Sequence, residues 1–287
     1  MLTSQLFRKK KVFSFEVFPP KKDSSVSTIY KTLEKLKALS PDYISVTYGA
    51  AGGSSRLSIK IASDVKNIYG IESVAHIPCI NMTKSEVLAE LHELKKNGIE
   101  NILALRGDIN PSVPPKQDFK HASDLIAFIR KHGNFNIIGA CYPEVHPEAK
   151  SAEDDLQNLK MKVEAGVSQL ITQLFFDNSS FYRFRERARA VGINVPIQAG
   201  IMPVTNKKQI ARIVSLCGVA IPEKLSEIIE KYGDDPASLR EAGIAYAIGQ
   251  ISDLAANGID GIHLYTMNNA DVAKKISEAT VPLICHK

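Results

Sequence analysis

VFSFEVF, residues 12–18, is a short apolar run whose one ionisable residue, Glu16, lies near its carboxyl end. Seven similar runs follow: YISVTY (43–48), SVAHIPC (73–79), NILALRG (101–107), NIIGACY (136–142), QLITQLFF (169–176), PIQAGIM (196–202) and GIHLYTM (261–267). They are continuous rather than alternating, which marks strands buried on both faces, as a parallel sheet requires. Helix-period segments separate them. TIYKTLEKLKAL (28–39) sets Ile29, Leu33, Leu36 and Leu39 on one stripe, and KSEVLAELHELKKNG (84–98) begins after Thr83, with Glu86 completing a capping box, and stops at Gly98. ASDLIAFIRKHG (122–133) and SAEDDLQNLKMKVEAG (151–166) also end in glycine.

Strand and helix thus alternate through eight cycles, the pattern of an α/β chain folded as a (β/α)8 TIM-type barrel. A doubly wound open sheet is the alternative; even spacing and the count of eight favour the barrel. Segments 221–233 and 236–258 read as extra helices before the eighth strand. No linker, repeat or low-complexity stretch divides the chain, so residues 1–287 are expected to form a single catalytic barrel domain.

Composition excludes several classes. Hydrophobic residues at 44% against 23% charged are globular, not disordered, proportions. RKKK (8–11) is the one dense cationic run and lacks an aromatic-basic stripe, so it reads as a solvated arm rather than a nucleic-acid surface. Cys79, Cys141, Cys217 and Cys285 are widely separated, which suits a reducing compartment and neither a disulfide framework nor a zinc site. No apolar stretch approaches the ~18 residues of a membrane span, and Glu16 with Pro19-Pro20 interrupts any leader-like segment. A soluble, cytoplasmic protein is expected.

A parallel barrel gathers its strand ends on one face. At these ends stand Glu16, Thr47, His76, Arg106 with Asp108, Tyr142 with Glu144 and His146, Gln173 and Tyr265. Burial of Glu16 is expected to raise its pKa toward the range of a general acid; an ion pair with a barrel Lys or Arg is the alternative. In ALRGD (104–108), Arg106 can fork onto an anion and Gly107 lets backbone approach it, unless Arg106 and Asp108 pair with each other. After YPEVHPEAKSA (142–152), Asp155, Asn158 and Lys162 share a helix face that suits phosphate or ribose, or is simply solvated. EVHPE lacks a recurring metal-ligand spacing. YGAAGGSSR (48–56) is neither a P-loop nor a dinucleotide fingerprint.

FSFEVFPP, SVTYGA, AHIPC, ALRGD, YPEVHPEAKSA with its D-x-x-N-x-x-x-K helix, ITQLFFD, AGIMPVTN and HLYTMN, in that order over residues 13–268, resemble the methylenetetrahydrofolate reductases. The resemblance implies a barrel that holds FAD non-covalently and reduces 5,10-methylenetetrahydrofolate to 5-methyltetrahydrofolate with NADH or NADPH in a ping-pong cycle. It implies Glu16 as general acid and Asp108 as the carboxylate at the pterin. Flavin and nicotinamide contacts would fall to Thr47, Tyr48, Ala50, His76, Arg106, Gly107, Asp108, Ala122, Tyr142, His146, Ala149, Asp155, Asn158, Met161 and Lys162. Folate contacts would fall to Asp108, Gln173, Gln209 and Asn269. It also implies a homo-oligomer. Two positions depart from the family pattern: His121 stands where relatives often carry Tyr, and Asn269 where they often carry Arg. A colourless barrel lyase or aldolase, and a folate- or flavin-binding subunit that needs an electron-transfer partner, are the competing readings.

Overall fold

Eight parallel strands close on themselves in sequence order in the computed structural model, which describes residues 1–20, 25–49, 55–109 and 114–284. They are β1 (Val12–Val17), β2 (Tyr43–Val46), β3 (Glu72–Pro78), β4 (Asn101–Leu105), β5 (Asn136–Cys141), β6 (Gln169–Thr172), β7 (Ile197–Ile201) and β8 (Gly261–Tyr265). Each expected strand is present. The sixth stops at Thr172, short of its apolar run, and just beyond it Gln173 Oε1 accepts from the Leu174 N–H at 2.8 Å.

The helices are α1 (Ser27–Lys37), α2 (Ser55–Asn67), α3 (Lys84–Lys96), α4 (Ala122–His132), α5 (Ala152–Glu164), α6 (Asn178–Ala190), α7 (Lys207–Cys217), α8 (Glu223–Tyr232), α9 (Pro236–Ala256) and α10 (Ala270–Ile284). The capping box at Thr83 and Glu86 forms as the sequence predicts. The extra helices are α8 and α9. From α9, Gln250 Nε2 donates to Phe175 O (2.9 Å) and Tyr246 Oη to Phe176 O (2.7 Å), which fastens the loop beyond β6.

Strand parity sorts the barrel. Phe13, Phe15, Val17, Ile44, Val46, Ile102, Ile137, Leu170, Ile197, Ile262 and Leu264 face outward and share one core with helix residues such as Ile29, Leu33, Leu91 and Ile276. The intervening residues face inward. The lower interior is packed by Val12, Tyr43, Val74, Leu103, Ile138 and Ile171 against Leu6. Leu6 belongs to a 3-10 helix, Thr3–Arg8, that seals the amino end of the barrel. There the Thr3 N–H donates to Asn101 Oδ1 (2.9 Å), Thr3 Oγ1 donates to Gln169 Oε1 (2.8 Å), and Asn136 Nδ2 donates to Thr3 Oγ1 (2.9 Å). The sequence reading treated this end as an arm. Arg8, Lys9 and Lys10 are indeed exposed, but the residues before them form a plug.

One close approach makes a sharp stability test. A Cβ added at Gly243 of α9 would lie 1.7 Å from Val204 O and 2.6 Å from its carbonyl carbon. Backbone on both sides leaves no flexible atom to yield. Gly243→Ala is expected to cost about 3 kcal/mol and to lower Tm by roughly 6–12 °C. Calorimetry checks this, and an unchanged Tm would mean that α9 does not seat so closely.

Candidate active site

Parity and register decide which strand-end residues converge. Glu16 is level with Ser45 on β2 and with Tyr265 on β8, while Ser14, two residues earlier, is level with Tyr43 and His263. Glu16 therefore points into the barrel at its carboxyl rim. Its side chain is 19% exposed, and Oε2 lies 3.6 Å from His76 Nε2, 3.5 Å from His263 Nε2 and 3.5 Å from Ser45 Oγ. The expected net rise in pKa is not what this arrangement gives. Burial does push the Glu16 carboxyl upward, but the hydrogen bond from His263, the charge interactions with both histidines and Ser45 hold it below the usual range. The partner is a pair of histidines, neither Lys nor Arg. Burial pushes His76 down to about 4, with the Glu16 charge acting against it. Beyond that 3.6 Å approach, His76 Nε2 is buried and has no hydrogen-bond partner among the described residues.

A cationic sector flanks this acid. Arg106 sets Nη1 and Nη2 at 2.5 and 2.7 Å from the two carboxylate oxygens of Glu148, a forked pair that replaces the expected alternative with Asp108. Gly107 adopts φ +88°, and a Cβ there would meet the Pro78 Cβ at 2.9 Å, so the ALRGD turn needs glycine. Asp108 is exposed beyond it, close enough for its charge to help raise the Tyr142 hydroxyl, which burial already pushes up to about 12. Tyr142 and His146 make an edge-to-face contact at 4.6 Å. Asp155 Oδ2 accepts from the His146 N–H (3.0 Å), and the Ala149 N–H closes a turn onto His146 O (2.9 Å). Lys162 Nζ donates to Ala140 O (2.7 Å), and burial lowers its pKa. Further out on α5, Asn158 is exposed and reaches Asp154 at 3.4 Å, and Met161 is exposed. Ala122 begins α4.

Gln173 lines a small cleft with Tyr142, Leu174, Cys217 and Val219. Tyr265 Oη donates to Thr172 O (2.7 Å) beside it. Thr47 and Tyr48 are half-buried after β2, and Tyr48 Oη reaches Glu90 at 3.3 Å. Ala50 lies outside the described residues. Gln209 sits on the first turn of α7, half-buried. The Asn269 carboxamide oxygen accepts from the Val272 N–H (3.2 Å), so it caps the start of α10. His263, Ser14 and Ser45 are not signalled in the sequence; Glu148 is, in the crowded EVHPE loop, but not as the partner of Arg106. For these three the missed signal is parity, since each lies two residues from a rim residue on its own strand.

Glu144 buttresses the same loop. Its Oε2 accepts from the Ala220 N–H at 2.6 Å, while Oε1 is buried without a hydrogen-bond partner among the described residues. Burial raises its pKa above the ordinary carboxylate value. A folded-state pKa above the unfolded one means that ionisation opposes folding: the protonated form is favoured in acid, and that benefit is lost as pH rises. Glu144→Gln keeps an acceptor for Ala220 and is expected to raise Tm modestly at neutral pH. The gain should fade as pH falls through the raised carboxyl pKa and be gone below about pH 4. Melting curves across pH test this, and a gain that persists in acid would contradict it.

Among the described residues, no group of three or more His, Cys, Asp or Glu is placed to hold a metal ion, and no helix is long and apolar enough to cross a membrane. Comparison with known proteins adds a family. The sequence profile described as "Methylenetetrahydrofolate reductase" matches residues 2–280. The 5,10-methylenetetrahydrofolate reductase of Escherichia coli K12 is 39% identical over 264 residues, covering 92% of this chain and 88% of that protein. The Arabidopsis thaliana protein named methylenetetrahydrofolate reductase (NADH) 1 is 36% identical, covering 89% of this chain and 46% of its own. Among solved structures, an uncharacterized Clostridium thermocellum protein described as binding two copies of 5-methyl-5,6,7,8-tetrahydrofolic acid superposes with TM-score 0.65 at 15% identity over 99% of both chains. At that identity the likeness concerns the fold alone.

Proposed function

Because the chain belongs to the methylenetetrahydrofolate reductase family, we propose that it reduces 5,10-methylenetetrahydrofolate to 5-methyltetrahydrofolate, with FAD as cofactor, NADH or NADPH as donor, and Glu16 as general acid. The observation that carries this reading is the Glu16 carboxyl, turned inward at the open rim of a barrel whose other end is plugged.

The rim residues fit a flavin dinucleotide. Arg106 presents a planar fork suited to a phosphate, and Lys162 adds a second cation one strand away. Apart from its 3.6 Å approach to Glu16, His76 offers a buried ring nitrogen that has no hydrogen-bond partner among the described residues, and Tyr142 with His146 supplies an aromatic wall. Gly107, Asp108, Ala122, Ala149, Asp155, Asn158 and Met161 complete the set, with Thr47 and Tyr48 toward the nicotinamide. When bound, the flavin would take a hydride from the nicotinamide and later give one to the folate.

What the chain contributes is proton control and orientation. Glu16 must be protonated to act, yet the two histidines lower its pKa in the free protein. Folate seated on the rim would exclude water from the carboxyl and favour its neutral form. The Glu16 O–H then breaks as an N–H forms on the bridging nitrogen, and the carboxylate keeps the electron pair. The weakened C–N bond opens to an iminium cation, which the Asp108 charge stabilises. Gln173 would orient the pterin amide, and Gln209 and Asn269 would lie toward the substrate tail. Nicotinamide and folate would use the same face in turn.

Purified protein tests the reading. A yellow flavin spectrum, bleached anaerobically by NADH or NADPH and restored by methylenetetrahydrofolate, is the expected result. A colourless protein would point to a lyase. Flavin that neither nicotinamide bleaches would point to a subunit that needs an electron-transfer partner.

A further inference from the structure

A polar column runs through the barrel interior and ends on the acid. From the amino-end plug, Gln169 Nε2 approaches Gln198 Oε1 at 3.5 Å, and the buried Tyr43 hydroxyl donates to the same oxygen. Gln198 Nε2 donates to Ser14 Oγ at 3.0 Å. Ser14 Oγ lies 2.7 Å from His263 Nδ1, and His263 Nε2 lies 3.3 Å from Ser45 Oγ and 3.5 Å from Glu16 Oε2. His263 is fully buried.

Donor counting gives this column a direction. Ser14 Oγ already accepts from Gln198, and its own proton faces His263 Nδ1 at 2.7 Å, Ile262 O at 3.4 Å and the Tyr43 hydroxyl, whose own proton goes to Gln198 Oε1. The 2.7 Å contact takes it. Nδ1 is then an acceptor and the ring proton sits on Nε2, a donor that faces both the carboxyl and Ser45 Oγ, whose own hydroxyl donates to Glu16 Oε2. Every polar contact of the Glu16 carboxyl among the described residues falls on Oε2: His263, His76 and Ser45. Oε1 makes none among them, and the Glu16 side chain keeps 19% exposure at the rim.

We propose that His263 is a positioning residue for Glu16: held by Ser14 as the Nε2–H tautomer, it engages Oε2 and so reserves Oε1 for the proton delivered to substrate. This rests on the reading of Glu16 as the acid. After transfer the same N–H stabilises the carboxylate left behind. The ionisable groups that face Glu16 are His76, His263, Tyr265 and, one level lower, Tyr43.

Three variants separate donation from packing. His263→Leu removes the donor, His263→Gln returns an amide N–H near the Nε2 position, and Ser14→Ala releases the tautomer. Two measurements apply: the rate at which methylenetetrahydrofolate reoxidises reduced flavin across pH, and the titration of the Glu16 carboxyl in the free protein by infrared difference spectroscopy. His263→Leu is expected to slow reoxidation about tenfold to a hundredfold and to move its alkaline limb and the Glu16 titration upward by about one pH unit. Flavin reduction by NADH should change far less. Gln should recover most of the rate, and Ser14→Ala should move both readouts the same way by less.

An unshifted Glu16 titration in His263→Leu would overturn the proposal, as would a folded His263→Gln no better than Leu. Should the His263 variants fail to fold, Ser14→Ala decides: a wild-type titration there refutes it. If the wild-type protein cannot pass electrons to folate, the functional reading fails, while the carboxyl titration still judges the role of His263.

Discussion

Glu16→Gln is expected to lower methylenetetrahydrofolate reduction by about 10²–10⁴-fold, while NADH continues to bleach the bound flavin at close to its normal rate. The substitution is nearly isosteric, and the amide still offers an oxygen to His263 and Ser45, so the barrel interior keeps its packing. It removes only an ionisable proton. Flavin reduction by nicotinamide needs no proton delivered from β1, so the two half-reactions should separate cleanly. Steady-state NADH oxidation with a quinone acceptor, beside stopped-flow reoxidation by folate, reads them independently. The neighbours sharpen the expectation: in the free protein the histidines favour the carboxylate, so wild-type reoxidation should fall on the alkaline side and the residual rate of the variant should lose that limb. Folate turnover within a few-fold of wild type would remove Glu16 from the acid role.

The fold was legible because parallel strands buried on both faces announce themselves as uninterrupted apolar runs, and glycines or caps mark the helices between them. The inward turn of Glu16, Thr47, His76, Gln173 and Tyr265 follows from a period of two on each strand. What escaped the reading depends on register between strands distant in sequence. Glu16 meets His76 sixty residues on and His263 at the far end of the chain, and nothing local to VFSFEVF announces two imidazoles. The same holds for the pKa of Glu16: burial is readable from flanking phenylalanines, but its sign against paired donors is set by neighbours that only closure of the barrel supplies. The amino-terminal plug was missed because Thr3 and Leu6 show no strand or helix period, and their partners Asn101, Asn136 and Gln169 come from three different strands. Arg106 was read as free or paired with Asp108 because that partner is adjacent in sequence. The residue that wins, Glu148, lies across the β5 loop.

That last pairing leads to the second large effect. Arg106→Ala is expected to weaken FAD binding by roughly 10–100-fold, the scale of one lost charge-assisted contact, whereas Glu148→Gln is expected to strengthen it severalfold. The argument turns on exposure. The Arg106 side chain is 24% and that of Glu148 54% exposed, and an ion pair in such a setting contributes only about 0–1 kcal/mol to stability. The pair is therefore cheap to break, and a flavin phosphate would be a better partner for the fork than a half-solvated carboxylate. The guanidinium keeps Glu148 ionised by holding its pKa below the usual range, so in the free protein the carboxylate competes for the site that a phosphate would take. Removing the competitor and removing the binding group must then act in opposite directions. If the pair served only to brace the β5 loop, both variants would lower flavin affinity and Tm together. Fluorescence titration of FAD into apoprotein, with melting curves alongside, distinguishes the two cases. Raising ionic strength should narrow the difference between Glu148→Gln and wild type, because salt screens the competing pair.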